Sequence, residues 1–169
     1  MSGPVIGIDP GIAGALALYD AAADSLLIEP IPTFTVKVGK GRRQIPDHYG
    51  VARIIDAWAP LNPTVWIEAV GTRPGEGAVG AFSFGKTYGI LLGVAAAHFL
   101  RMELVTPAAW KAALKVKGPK DESRLRASAL LPKFSGLWPL AKHDGRAEAA
   151  LIALHGSMQA TPANRKDAA

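Results

Sequence analysis

Apolar positions come as short strand-length runs at the start of the chain and as helix-length stretches after residue 47. Val5, Ile6 and Ile8 read as a strand, Pro10-Gly11 and Ala13-Gly14 supply turn chemistry, and Ala15 to Tyr19 reads as a second strand. Ala21 to Ser25 leads into a third, Leu26 to Ile31, with Thr33 to Val38 as an extension of it. Three strands with short connections make an antiparallel meander. Asp47 suits the N-cap of an amphipathic helix with Val51, Ile54, Ile55 and Trp58 on one face, closed by Pro60 and Pro63. Thr64 to Glu68 reads as a fourth strand, and Ala81 to about Arg101 as one long, largely buried helix. Within it Gly85, Gly89 and Gly93 recur every four residues, which predicts close approach to the sheet. Glu103 to Val105 is a short fifth strand, and Thr106-Pro107 opens a helix by the cap-then-proline rule.

Two of these runs end in a carboxylate, Asp9 and Glu68. A charge at the end of a buried strand costs several kcal/mol unless a cation or hydrogen bonds replace its water. Asp9 therefore either binds a metal ion or caps the Pro10-Gly11 turn through backbone N–H groups. A helical crossover makes successive parallel strands neighbours, so Glu68 can lie beside Asp9. Two crowded carboxylates repel unless a divalent cation shares them, and oxygen ligands without His or Cys suggest Mg²⁺ or Mn²⁺. A second acidic pair lies late in the chain. Asp144 and Glu148, four apart, share one face at the start of an otherwise apolar helix, either as cap and dipole partner or as metal ligands. Four carboxylates would hold two divalent ions, a pair that activates water and stabilises the leaving oxygen in phosphodiester hydrolysis.

The 169 residues are 49% apolar, enough for one core and one domain over residues 1–158, with a disordered tail at 159–169. Cysteine is absent, which removes disulfides, thiolate metal sites and cysteine nucleophiles. No basic-then-apolar leader and no apolar run near the length of a membrane span are read, so a cytoplasmic protein without a membrane partner is expected. A net charge of +5 favours a polyanionic partner. Lys111, Lys115, Lys117, Lys120, Arg124 and Arg126 gather against only Asp121 and Glu122, around a Gly118-Pro119 break, and read as a phosphate track. Lys37, Lys40, Arg42 and Arg43, broken by Gly39 and Gly41, read as a solvated hairpin tip, with phosphate contact as the alternative.

The stretch Gly71 to Gly80 is a glycine-rich loop expected to overhang the acidic site. It runs into Gly80-Ala81-Phe82-Ser83-Phe84-Gly85-Lys86-Thr87, a literal P-loop match. A nucleotide-cradling loop needs a strand immediately before it, and none stands there, so no nucleotide cofactor is expected. Phe82 and Phe84 either stack on unpaired bases or open the helix as core residues.

Ile6-Gly7-Ile8-Asp9-Pro10-Gly11 with its small-residue turn, Trp66-Ile67-Glu68, and Asp144 to Ala153 together resemble the RuvC family of Holliday junction resolvases, in the ribonuclease H-like superfamily. Phe82-x-Phe84-Gly85 and Thr106-Pro107 with Trp110-Lys111 look more like its phage and prophage branch. The resemblance implies an α/β fold with a mixed five-stranded sheet, three strands antiparallel and then two parallel, flanked by helices. It also implies a homodimer with two Mg²⁺ ions per active site that nicks opposing strands of a four-way DNA junction. By position Asp9 and Glu68 are the strand ligands, Glu148 aligns with the last family carboxylate, and Lys111 and Lys120 match lysines near the scissile phosphate. The ligand usual three residues before Glu148 is replaced here by Gly145, with Asp144 as substitute and His143 as the lesser candidate. Lys115, Lys117, Arg124, Phe82 and Phe84 complete the expected DNA contacts. The other readings are an inert DNA-binding relative and a sugar-kinase-like ATPase, for which the chain is about half the needed length.

Overall fold

A computed structural model of the chain describes residues 3–71, 75, 77–118 and 121–159, the side chain of Asp121 excepted. Seven strands and five helices follow in the order Val5–Asp9 (β1), Ala15–Asp20 (β2), Ser25–Pro30 (β3), Thr33–Val38 (β4), Gly41–Pro46 (β5), His48–Trp58 (α1), Thr64–Glu68 (β6), Ala78–Ala97 (α2), Met102–Val105 (β7), Pro107–Ala113 (α3), Asp121–Leu130 (α4) and Asp144–Gln159 (α5). Five strands form one sheet in the order β3-β2-β1-β6-β7. β1 pairs antiparallel with β2, and β2 with β3, while β6 runs parallel to β1 and β7 parallel to β6. The expected mixed sheet of three antiparallel and two further parallel strands is the one found.

Period-2 alternation sorts the sheet residues onto two cores. Ile6 and Ile8 of β1 and Val65 and Ile67 of β6 join Val51, Ile55 and Trp58 of α1 and Leu91 and Ala95 of α2 on one face. Val5, Ala15 and Ala17 join α5 on the other face, with Trp110, Leu114, Ala127, Leu131 and Trp138 behind it. Gly7 lets α5 lie directly on β1, since a Cβ there would run into the backbone at Ala149 and Ala153. The local signals hold at the helix starts. Asp47 Oδ1 accepts from Gly50 N at 2.9 Å, and Thr106 Oγ1 accepts from Ala109 N at 3.2 Å.

Three expectations are corrected. The third strand does not extend to Val38: it ends at Pro30, and Thr33–Val38 pairs instead with Gly41–Pro46 in a separate two-stranded ribbon, so the basic segment is a hairpin. Helix α2 is not largely buried. Thr87, Leu91 and Ala95 are its buried residues, and Cβ atoms at Gly85, Gly89 and Gly93 would meet nothing within 4 Å, so these glycines do not face the sheet. At 20 residues α2 also has the length and apolar composition of a membrane span. Its place contradicts that role: it is the crossover between β6 and β7, two hydrogen-bonded strands of one sheet, so both its ends are tied to that sheet.

Candidate active site

Strand alternation decides where the first two carboxylates point. Asp9 follows Val5 and Gly7 on the α5 face of β1, and Glu68 follows Trp66 on the same face of β6. The parallel register Ile8↔Ile67 puts the two residues side by side, each last in its strand. Helix α5 crosses this face at contact distance because Gly7 and its own alanines permit it, and Glu148 on its second turn is thereby carried to Asp9.

The electrostatics record that convergence. The Asp9 carboxyl is pushed from its ordinary value of 3.8 up to about 7, by burial first and then by the Glu148 charge. The Gly11 N–H, donated to Asp9 Oδ1 at 3.2 Å, opposes the rise; the Glu68 charge adds to it, and the Lys111 ammonium opposes it. Asp9 thus caps its turn and is also crowded by two other carboxylates, so the two sequence alternatives are compatible. The hydrogen bond takes up one oxygen and is outweighed by burial and Glu148.

Each neighbour of Asp9 is itself held. Trp110, fully buried, donates its indole Nε1–H to Glu68 Oε2 at 2.8 Å. Ser123 Oγ donates to Glu148 Oε1 at 2.9 Å, and Lys111 Nζ lies 3.5 Å from the same oxygen. Trp110 and Ser123 were not among the sequence candidates. Trp110 had one available signal, its place beside Lys111, whereas Ser123 had none, because its bond spans 25 residues.

Asp144 is not brought into this group. It accepts from Arg124 Nε at 2.7 Å and is absent from the charges that act on Asp9. Gly145 takes the adjoining space: a Cβ there would meet the Ala13 carbonyl and stand 3.0 Å from Asp9 Oδ2. The tight β1–β2 turn therefore excludes any side chain from the position where the resemblance expects a ligand. His143 Nδ1 accepts from Leu140 N at 3.3 Å in a 3-10 turn. Its pKa is lowered by partial desolvation and then by Arg146, Lys142 and Arg124. Among the described residues no three His, Cys, Asp or Glu side chains are disposed as a metal-holding group. Of the four expected carboxylates, Glu68 and Glu148 act by their charge on Asp9, while Asp144 is engaged with Arg124. The all-oxygen chemistry of Asp9, Glu68 and Glu148, and the cost of crowding three carboxylates, still suit a hard divalent cation.

Of the basic segment, Lys115 and Lys117 are exposed, Arg126 Nε donates to Leu114 O at 2.6 Å, Arg124 is engaged with Asp144, and Lys120 lies outside the described residues. The expectation of a loop over the site falls partly on residues 72–74 and 76, also outside them. Phe82 is 77% exposed at the start of α2, and Phe84 is half-buried. The P-loop match from Gly80 to Thr87 lies inside α2, which leaves no loop there to wrap a phosphate.

Sheet order, strand directions and the helix across β1 define a ribonuclease H-like fold. Among solved structures the chain is similar to RuvC. Against "T. thermophilus RuvC in complex with Holliday junction substrate" the TM-score is 0.58 at 19% identity, covering 93% of this chain and 94% of that one. Against a second Thermus thermophilus RuvC structure it is 0.56 at 21% identity, covering 93% and 95%. The fold is therefore RuvC-like over nearly its whole length. No protein-family model and no curated protein sequence matches the chain.

Proposed function

We propose that this protein is a divalent-metal-dependent, structure-selective endodeoxyribonuclease that resolves four-way DNA junctions as a homodimer. The observation that carries the reading is the convergence of Asp9, Glu68 and Glu148 at the ends of the two central parallel strands of a RuvC-like fold, with the Asp9 carboxyl raised to about 7.

Asp9, Glu68 and Glu148 are the residues that would hold two Mg²⁺ or Mn²⁺ ions, Asp9 between the others. When bound, such ions supply an activated water and stabilise the leaving oxygen. Trp110 and Ser123 fix the carboxylates of Glu68 and Glu148, so their oxygens need no reorganisation on binding. Lys111, beside Glu148, sits where its ammonium neutralises charge growing on a phosphate. Lys115 and Lys117, both exposed, extend the positive track for the backbone. Phe82 is open to an unpaired base.

The glycines of α2 support the dimer. A glycine in an exposed helix interior costs roughly 0.5–1 kcal/mol relative to alanine, and within the protomer Gly85, Gly89 and Gly93 gain no close contact in return. A second copy crossing α2 at short range would use all three.

Two observations favour the inert relative as a second reading: Asp144 is engaged with Arg124, and no ready-made metal group is found among the described residues. A labelled synthetic four-way junction and its linear duplex, with Mg²⁺ or chelator, separate the two. The nuclease cuts the junction alone, only with metal, and not in Asp9→Asn; the inert relative binds without cutting.

A further inference from the structure

Beside the candidate site a groove of about 470 Å³ runs between the β4–β5 hairpin and the first turns of α2, lined by Ile12, Arg42, Arg43, Gln44, Ser83 and Phe84 among others. Ile12 follows Asp9 by three residues, so the groove shares the β1–β2 turn with the candidate site. Arg43 Nη2 donates to Val79 O at 3.1 Å and fastens the hairpin to α2. The charge here is one-sided. From Ile31 to Pro46 the chain carries Lys37, Lys40, Arg42 and Arg43 and no acid, and α2 adds Lys86, again without an acid. Lys37 and Arg42 also stand directly opposite each other in the ribbon, a like-charge cross-strand pair that destabilises it. An anion between them would relieve that repulsion. The remaining lining offers a ring at Phe84, an apolar side chain at Ile12, and hydrogen-bonding groups at Gln44 and Ser83.

We infer that this groove is a nucleotide subsite: it holds one unpaired nucleotide of the DNA strand that leads into the candidate active site, with the phosphate on Arg42, the cross-strand neighbour of Lys37, and the base against Phe84 and Ile12. Charge complementarity selects a phosphodiester, and the combination of ring, apolar and amide groups selects an unstacked base over duplex backbone. The inference rests on the nuclease reading for its substrate and adds a strand-holding site that the carboxylates do not provide.

The test uses the full chain in chelator and the anisotropy of a labelled four-way junction and a labelled single strand, read across a salt series. Arg42→Ala is compared with Arg101→Ala, which removes the same charge at the start of β7, the sheet end opposite Asp9. Arg42→Ala weakens binding about tenfold and lowers the salt slope by about one, whereas Arg101→Ala does neither. A neutral methylphosphonate scanned along the strand weakens wild type at one position and leaves Arg42→Ala unaffected there. Phe84→Leu keeps the salt slope and reduces the quenching of 2-aminopurine at that nucleotide. Equal affinity and slope in Arg42→Ala and Arg101→Ala overturn the subsite. If junctions are never cut while Arg42 still carries one phosphate of a single strand, the subsite stands and the nuclease reading falls. No binding of either DNA overturns both.

Discussion

Replacing Asp9 by asparagine separates the cost of the site from its use. The wild-type carboxyl titrates at about 7 in the folded protein against 3.8 ordinarily. Below about pH 4 it is protonated whether the chain is folded or not, and it costs nothing. Between pH 4 and 7 the folded chain keeps a proton that the unfolded chain has lost, so stability falls as pH rises; above about 7 the full cost stands. The gap corresponds to ~4 kcal/mol, and because Asp9 is only partly buried, water reduces this to ~2 kcal/mol. An asparagine side chain in its place is neutral, nearly isosteric, and still accepts the Gly11 N–H, so it escapes the cost. In chelator at pH 8 Asp9→Asn should therefore be more stable than wild type by ~2 kcal/mol, which is a rise in Tm of roughly 4–8 °C for a chain of this size. At pH 4 the two should coincide. Adding Mg²⁺ at about a hundred times its Kd should reverse the order, since it adds ~2.7 kcal/mol to wild type alone and so exceeds the ~2 kcal/mol advantage of the mutant. Urea unfolding at pH 4, 6 and 8, with and without Mg²⁺, reads all of this. A mutant less stable than wild type at pH 8 in chelator would refute the reasoning, since it would make the charged turn cap the main role of Asp9.

Three further outcomes follow from single contacts. Trp110→Phe removes the indole donor to Glu68 and part of a fully buried side chain; it should cost about 1–3 kcal/mol by urea unfolding and weaken Mg²⁺ binding by calorimetry. Ser123→Ala frees Glu148 Oε1 from its donor and should lower cleavage severalfold at saturating DNA with little change in junction affinity; equal loss of both would assign it to folding instead. Gly89→Ala should stabilise the protomer by roughly 0.5–1 kcal/mol and weaken self-association in sedimentation, whereas an unchanged association constant would remove α2 from the dimer contact.

What the sequence made legible was local chemistry. Asp47 and Thr106 cap helices through bonds spanning three residues, and the short apolar runs at Val5 and Thr64 need only their own residues to be seen as strands. Helix α2 was misjudged because it is apolar all round, so its pattern has no preferred face; whether a glycine row meets the sheet or solvent depends on elements far away in sequence. The acidic site was half legible for the same reason. Asp9 and Glu68 announce themselves as charges that end apolar strands, whereas the partner of Asp144 is Arg124, 20 residues earlier, and the partner of Glu68 is an indole 42 residues later. The basic hairpin was visible as a charge run, but its groove is formed with residues of α2 to which Arg43 reaches across 36 residues at Val79.

The most direct test of paired cutting is a supercoiled plasmid carrying an extruded cruciform, incubated with the full chain and Mg²⁺. A dimer with two acidic sites cuts opposing strands within one encounter, and the product should be full-length linear DNA with symmetrically placed ends, absent with chelator or with Asp9→Asn. Nicked circles alone would contradict the account, because a single cut releases the supercoiling that holds the cruciform out before a second site has acted.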